Sequence, residues 1–83
     1  MSEKSIKSLN KLKNGERGII VSFNDKESND LRRHLLGMGF VKNTEITFEK
    51  VAPLGDPIKL RLRGYSICLR ENEAKNINVK LIN

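Results

Sequence analysis

Apolar and polar residues alternate with a period of two in several stretches of this chain, and each such stretch predicts a strand. "RGIIVSF" (17–23) is β-branched and apolar, with Ile19, Val21 and Phe23 sharing a face. "TEITFEKV" (44–51) turns Ile46 and Phe48 inward and Glu45, Thr47 and Glu49 outward. After the loop "APLGDP", Ile58, Leu60 and Leu62 face inward while Lys59, Arg61 and Arg63 face outward. The pair Gly64-Tyr65 interrupts, and "SICLR" and "INVKLI" complete the set, the latter with Ile77, Val79 and Leu81 alternating with Asn78 and Lys80.

Helical spacing replaces this period in three places. Leu31, Leu35 and Met38 fall on one stripe with Leu36 beside it, Asp30 stands where an N-cap belongs, and Gly39 suits a left-handed C-cap. "SLNKLKNGE" predicts one helical turn capped by Ser8 that tucks Leu9 and Leu12 under the fold, before an Asn14-Gly15 turn. "ENEAKN" (71–76) predicts another single turn. The expected architecture is mainly β with short helices. About five short strands form a small, partly open barrel, with one helix after the first strand. It spans residues 1–83 as a single domain, with residues 1–6 outside the ordered body.

Strand parity predicts two hairpin registers. A two-residue loop at Gly64-Tyr65 has glycine first, as a type II′ turn requires, and sets Arg63 opposite Ser66, Leu62 opposite Ile67 and Leu60 opposite Leu69. In the preceding hairpin, pairing Phe48 with Leu60 sets Glu49 across from Lys59 and Glu45 across from Arg63. Two rungs of the basic ladder then have carboxylate partners in their own sheet.

The charge balance sharpens this picture. The net charge of +6 favours an acidic partner, but acidic residues are interspersed among the basic ones, which weakens a polyanion-binding reading. One tyrosine, three phenylalanines and no tryptophan cannot build the aromatic platforms of single-strand nucleic-acid or polyproline binders. The single cysteine, Cys68, excludes an internal disulfide and fits a reducing cytosol; between Ile67 and Leu69 it reads as a small semi-buried side chain. No apolar run approaches the ~20 residues that cross a bilayer, and the N-terminus lacks the apolar segment of a signal peptide.

Catalytic chemistry finds no constellation here. No Ser/His/Asp, Cys/His or paired-carboxylate set can be assembled, so the chain is not expected to be an enzyme. His34 lacks companion ligands and reads as solvated helix surface, so no metal site or cofactor is expected. The glycines at 37 and 39 end a helix rather than open one, unlike a phosphate loop.

Three parts of the sequence are specific in combination: Arg33 followed by "LLGMGF", the loop "APLGDPI", and "RGYSICLR" followed by Ala74, Ile77 and Val79. On these the chain resembles the FeoA family over nearly its whole length. The resemblance implies an SH3-like barrel and a non-enzymatic accessory role beside FeoB, the membrane ferrous iron transporter with a cytosolic GTPase domain. It departs from the family in having Lys42-Asn43 where Pro-Gly is usual, and Gly37 where an acidic or small residue is common.

The candidate partner-binding surface joins the loop residues Leu54, Gly55, Asp56 and Pro57 to Lys59, Arg61, Arg63 and Tyr65. Leu54 is expected exposed at the loop tip, and Asp56 is expected to pair with Arg61 or Arg63 or to meet a partner. The expected function is docking on the cytosolic part of FeoB to modulate transport or GTP turnover, in the cytoplasm and at the inner membrane through that partner. No small-molecule substrate is implied. Self-association is compatible with this, and a basic nucleic-acid-binding barrel is the alternative.

Overall fold

The computed structural model describes residues 5–24 and 29–82. The predicted polar loop at 24–30 therefore falls largely outside the described residues, as do residues 1–4. Six strands are present among the described residues: β1 (Ile6–Ser8), β2 (Arg17–Phe23), β3 (Glu45–Val51), β4 (Ile58–Leu62), β5 (Tyr65–Leu69) and β6 (Ile77–Leu81). They form one antiparallel sheet in the order β1-β6-β2-β3-β4-β5, which does not close. Helix α1 (Asn29–Gly37) follows β2, and α2 (Glu71–Ala74) precedes β6. The mostly β architecture agrees with the sequence pattern, and the strand count rises from five to six. The additional strand is β1, where Ile6 pairs with Lys80 and the chain enters the sheet before a 3-10 turn at Leu9–Lys11. Its first residue lies inside the segment 1–6 that was expected outside the fold. Three residues are too few for an alternating pattern to be visible.

The sheet wraps around a single core. Leu9, Leu12, Ile20, Leu35, Phe40, Ile46, Phe48, Ile58, Leu60, Leu62, Leu69, Ala74, Ile77 and Val79 are all buried in one cluster. The inward set predicted for β3, β4 and β6 is the observed one, apart from Leu81, which is only partly buried. In β2 the parity differs: Ile20 is fully buried, whereas Ile19, Val21 and Phe23 are half-buried. A break in the β2–β6 register between Ile20 and Ser22 inserts one residue, and Phe23 then packs against the core.

Helix α1 begins at Asn29, so Asp30 lies in its first turn and is not its cap. The helix ends as predicted. Gly39 takes φ +103°, the Gly39 N–H donates to the Leu36 carbonyl (3.0 Å), and the Phe40 N–H donates to the Leu35 carbonyl (3.1 Å). This is a Schellman closure whose accompanying apolar contact joins two fully buried side chains, Leu35 and Phe40. The helix lies close to β5: the Tyr65 hydroxyl donates to the Met38 carbonyl at 2.9 Å, and His34 Nε2 sits 3.3 Å from Glu73 Oε2 on α2. Asn43, at φ 71°, occupies the left-handed position that the Lys42-Asn43 turn requires.

Candidate functional site

The β4–β5 hairpin turns two residues' worth of register away from the prediction. Its loop is Arg63-Gly64, with φ of 52° and 84°, and Leu62 pairs with Tyr65, Leu60 with Ile67 and Ile58 with Leu69. Positive φ at both central residues is the type I′ geometry. Apolar still meets apolar, because a shift of two leaves every side chain on its own face. Arg63 thereby leaves the ladder for the turn, where its guanidinium reaches the Thr44 hydroxyl at 3.4 Å.

The β3–β4 hairpin pairs Phe48 with Leu60 as expected, but a register break between Phe48 and Lys50 makes Glu49 the extra residue. Lys50 then stands opposite Lys59. Glu49 reaches diagonally to Arg61 (Oε2 to Nε, 2.8 Å) and accepts from the Ser66 hydroxyl (3.2 Å), so Lys59 lacks the ion pair predicted for it. Glu45 pairs not with Arg63 but with Arg17 on β2, at 3.0 Å. Carboxylates do neutralise two outward arginines, but they are Arg17 and Arg61. The Arg61 guanidinium, seconded by Ser66 and the charge of Lys59, holds the Glu49 carboxyl below its ordinary range. A depressed carboxyl contributes stability above its unfolded titration, and that contribution is lost as pH falls through its folded value. Glu49→Gln is therefore expected to flatten the acid limb of a stability–pH curve below about pH 4.5, the ordinary Glu value. Urea melts across that window check this; an unchanged acid limb would disprove the coupling.

The eight candidate contact residues are thus split between two ends of a hairpin. At one end, Leu54 is 95% exposed at the tip of the β3–β4 loop, beside exposed Pro53 and Gly55. At the other are Arg63 and Tyr65, the latter 44% exposed with its hydroxyl on Met38. Lys59 and Arg61 join the two ends along the outward side of β4. Asp56 pairs with neither Arg61 nor Arg63 among the described residues: its Oδ1 accepts from the Glu71 N–H at 2.9 Å, capping α2. Pro57, after a cis peptide bond, leads into β4.

Lys50 was missed as a surface residue. Strict alternation assigns it inward, and a lysine on inward parity is itself the sign of a bulge. Cys68 is exposed, not semi-buried, because it lies on the outward parity of β5 opposite Lys59. Among the described residues no group of three or more potential metal-binding side chains converges, and no helix is long and apolar enough to cross a membrane.

A family model, the FeoA domain, matches residues 7–81. The Fe(2+) transport protein A/Fe(2+) transporter FeoB fusion protein of Porphyromonas gingivalis is 36% identical over 74 residues, covering 89% of this chain and 8% of the fusion. The chain thus spans a small fraction of that relative's length. Among solved structures, a FeoA-like protein from Clostridium acetobutylicum superposes with a TM-score of 0.85 at 39% identity, covering 99% of this chain and 92% of that one. FeoA of Stenotrophomonas maltophilia, solved with zinc and described as an SH3 domain protein, superposes with a TM-score of 0.73 at 30% identity, covering 86% of each chain. From the matched family model and these relatives, on a sheet of the SH3-like kind, the chain belongs to the FeoA family.

Proposed function

We propose that this chain is a non-enzymatic accessory domain of bacterial ferrous iron uptake that docks on the cytosolic part of a FeoB transporter and modulates its transport or GTP turnover. The observation that carries the reading is the relative in which a FeoA sequence and a FeoB transporter share one polypeptide. Fusion places the two at high effective concentration, which is selected where separate chains would otherwise have to find each other. The exposed surface also suits docking. It is hairpin structure carrying cations and one apolar tip. Such charges act on encounter rate and partner choice more than on raw affinity.

Lys59, Arg61, Arg63, Tyr65 and the loop 54–57 form the proposed contact surface. Arg63→Glu, in the turn and away from the core, is expected to weaken retention of the chain on an immobilised FeoB cytosolic domain at low salt by about tenfold, as charge reversal at a rim does through the on-rate. Absence of retention of the unmodified chain at low salt counts against docking. GTP hydrolysis by the transporter with and without the chain reads the modulation.

A further inference from the structure

The β3–β4 end of the proposed contact surface combines two features that point to a more specific partner for this end than a protein. The first is an apolar tip. Leu54 is 95% exposed, and Val51, the last residue of β3, is 40% exposed below it. The second is a like-charge pair at the base of the tip. Lys50 and Lys59 are direct cross-strand partners, one step below the last ladder pair, Val51 with Ile58. Like charges directly opposite one another destabilise a sheet. Neither lysine has an ion-pair partner among the described residues, since both Glu49 oxygens serve Arg61 and Ser66. The nearby Asp56 carboxylate is turned back onto the first N–H of α2.

The cation type indicates the partner. Arginine forks suit a fixed carboxylate, but the arginine on this face, Arg61, is already engaged by Glu49. What remains are two lysines, mobile point charges that need no fixed acceptor geometry and so suit a fluid layer of anionic headgroups. The convex shape agrees: a single narrow leucine tip can pass below headgroup level while the lysines behind it stay among the phosphates. From this we infer that the β3–β4 end is a membrane-touching tip. Leu54 dips into the interface of an anionic bilayer, and Lys50 and Lys59 bind its lipid headgroups. The contact is weak alone and serves as the second signal beside a protein partner.

The test uses the full chain and vesicles with no other protein, so its failure is separate from failure of the docking reading. Sedimentation with vesicles of equal parts phosphatidylcholine and phosphatidylglycerol is expected to retain the chain at low salt, and pure phosphatidylcholine to release it. Leu54→Asp is expected to lower partitioning at least about tenfold, and Lys50→Ser with Lys59→Ser roughly fivefold per lysine. Leu54 and Lys50 are exposed and Lys59 is half-buried on the outward side of β4, none of them in the core, so circular dichroism should be unchanged. Lys42→Ser with Lys80→Ser, exposed lysines toward the opposite end of β3, removes the same charge and is expected to have much less effect. No retention on anionic vesicles overturns the inference. So does retention that the two lysine pairs reduce equally, or that Leu54→Asp leaves intact, since either means unspecific adsorption of a chain of net charge +6. If the variants lose retention on a FeoB cytosolic domain while vesicles never bind, the tip is a protein contact and the lipid assignment falls.

Discussion

Phe40→Ala should cost this domain about 3–5 kcal/mol, the range for truncating a buried aromatic. Phe40 is fully buried and the largest such side chain. It also closes α1 over the sheet, because its N–H bonds the Leu35 carbonyl while its ring meets the same core as the Leu35 side chain. A domain of 83 residues has on the order of 4–12 kcal/mol of stability in total. The substitution therefore removes a large share of it, and the melting temperature should fall on the order of 20 °C. Urea denaturation followed by circular dichroism measures the loss, and Leu54→Ala at the solvated loop tip serves as the control that should not move. A Phe40→Ala loss below about 1 kcal/mol would mean that α1 is not anchored through this residue.

The same residue shows why the fold was readable. Phe40 follows Gly39, which follows a stripe of leucines, and that order is a helix stop written in local chemistry. The inward faces of β3 and β4 were equally legible, since Ile46, Phe48, Ile58, Leu60 and Leu62 obey a strict period of two and are all buried. What failed was register. Parity fixes a face but not a pairing, so sliding the β4–β5 hairpin by two residues satisfied every apolar contact. The deciding quantity was a positive φ at Arg63, a residue type that carries no turn signal of its own. Bulges at Glu49 and Val21 each reset alternation by one, and sequence marks such a site only by a polar residue on the wrong parity.

The candidate surface was less legible for the same reason. Reading the ladder as straight placed Lys59 against Glu49 and Arg63 against Glu45. The bulge instead gave Glu49 to Arg61, left Lys59 facing Lys50, and moved Arg63 into the turn. One extra residue in β3 thus replaces the expected Glu49–Lys59 pair with two lysines facing each other beneath an apolar tip, neither in an ion pair among the described residues. The loop sequence leaves Leu54 either exposed at the tip or folded back onto the core, and the structure has it exposed. Asp56 was not foreseen as a cap, because its partner, the Glu71 N–H, lies 15 residues away in sequence.

Gly39→Val should cost about 2–4 kcal/mol through two separable effects. A β-branched residue at φ +103° is strained, on the order of 1–3 kcal/mol. A Cβ at this position also stands 3.0 Å from the Tyr65 hydroxyl, tighter than most side-chain contacts, so the phenol must give by a few tenths of an ångström, which strains the bond it makes to the Met38 carbonyl at 2.9 Å. Losing that bond outright adds about 0.5–1.5 kcal/mol. Tyr65→Phe alone should lose only the second amount. The double variant Gly39→Val with Tyr65→Phe should then cost less than the sum, because the obstructing oxygen is already gone. Strict additivity would show that backbone strain accounts for the whole effect and that the hydroxyl yields without cost. Gly37→Ala supplies the contrast two residues earlier. An added Cβ there meets nothing within 4 Å and the backbone is helical, so that change should raise stability by about 0.5–1 kcal/mol. Opposite signs at two glycines of one "GMG" segment would locate the left-handed helix stop at Gly39, and non-additivity with Tyr65→Phe would tie that stop to Tyr65 and through it to the turn that carries Arg63 on the proposed docking surface.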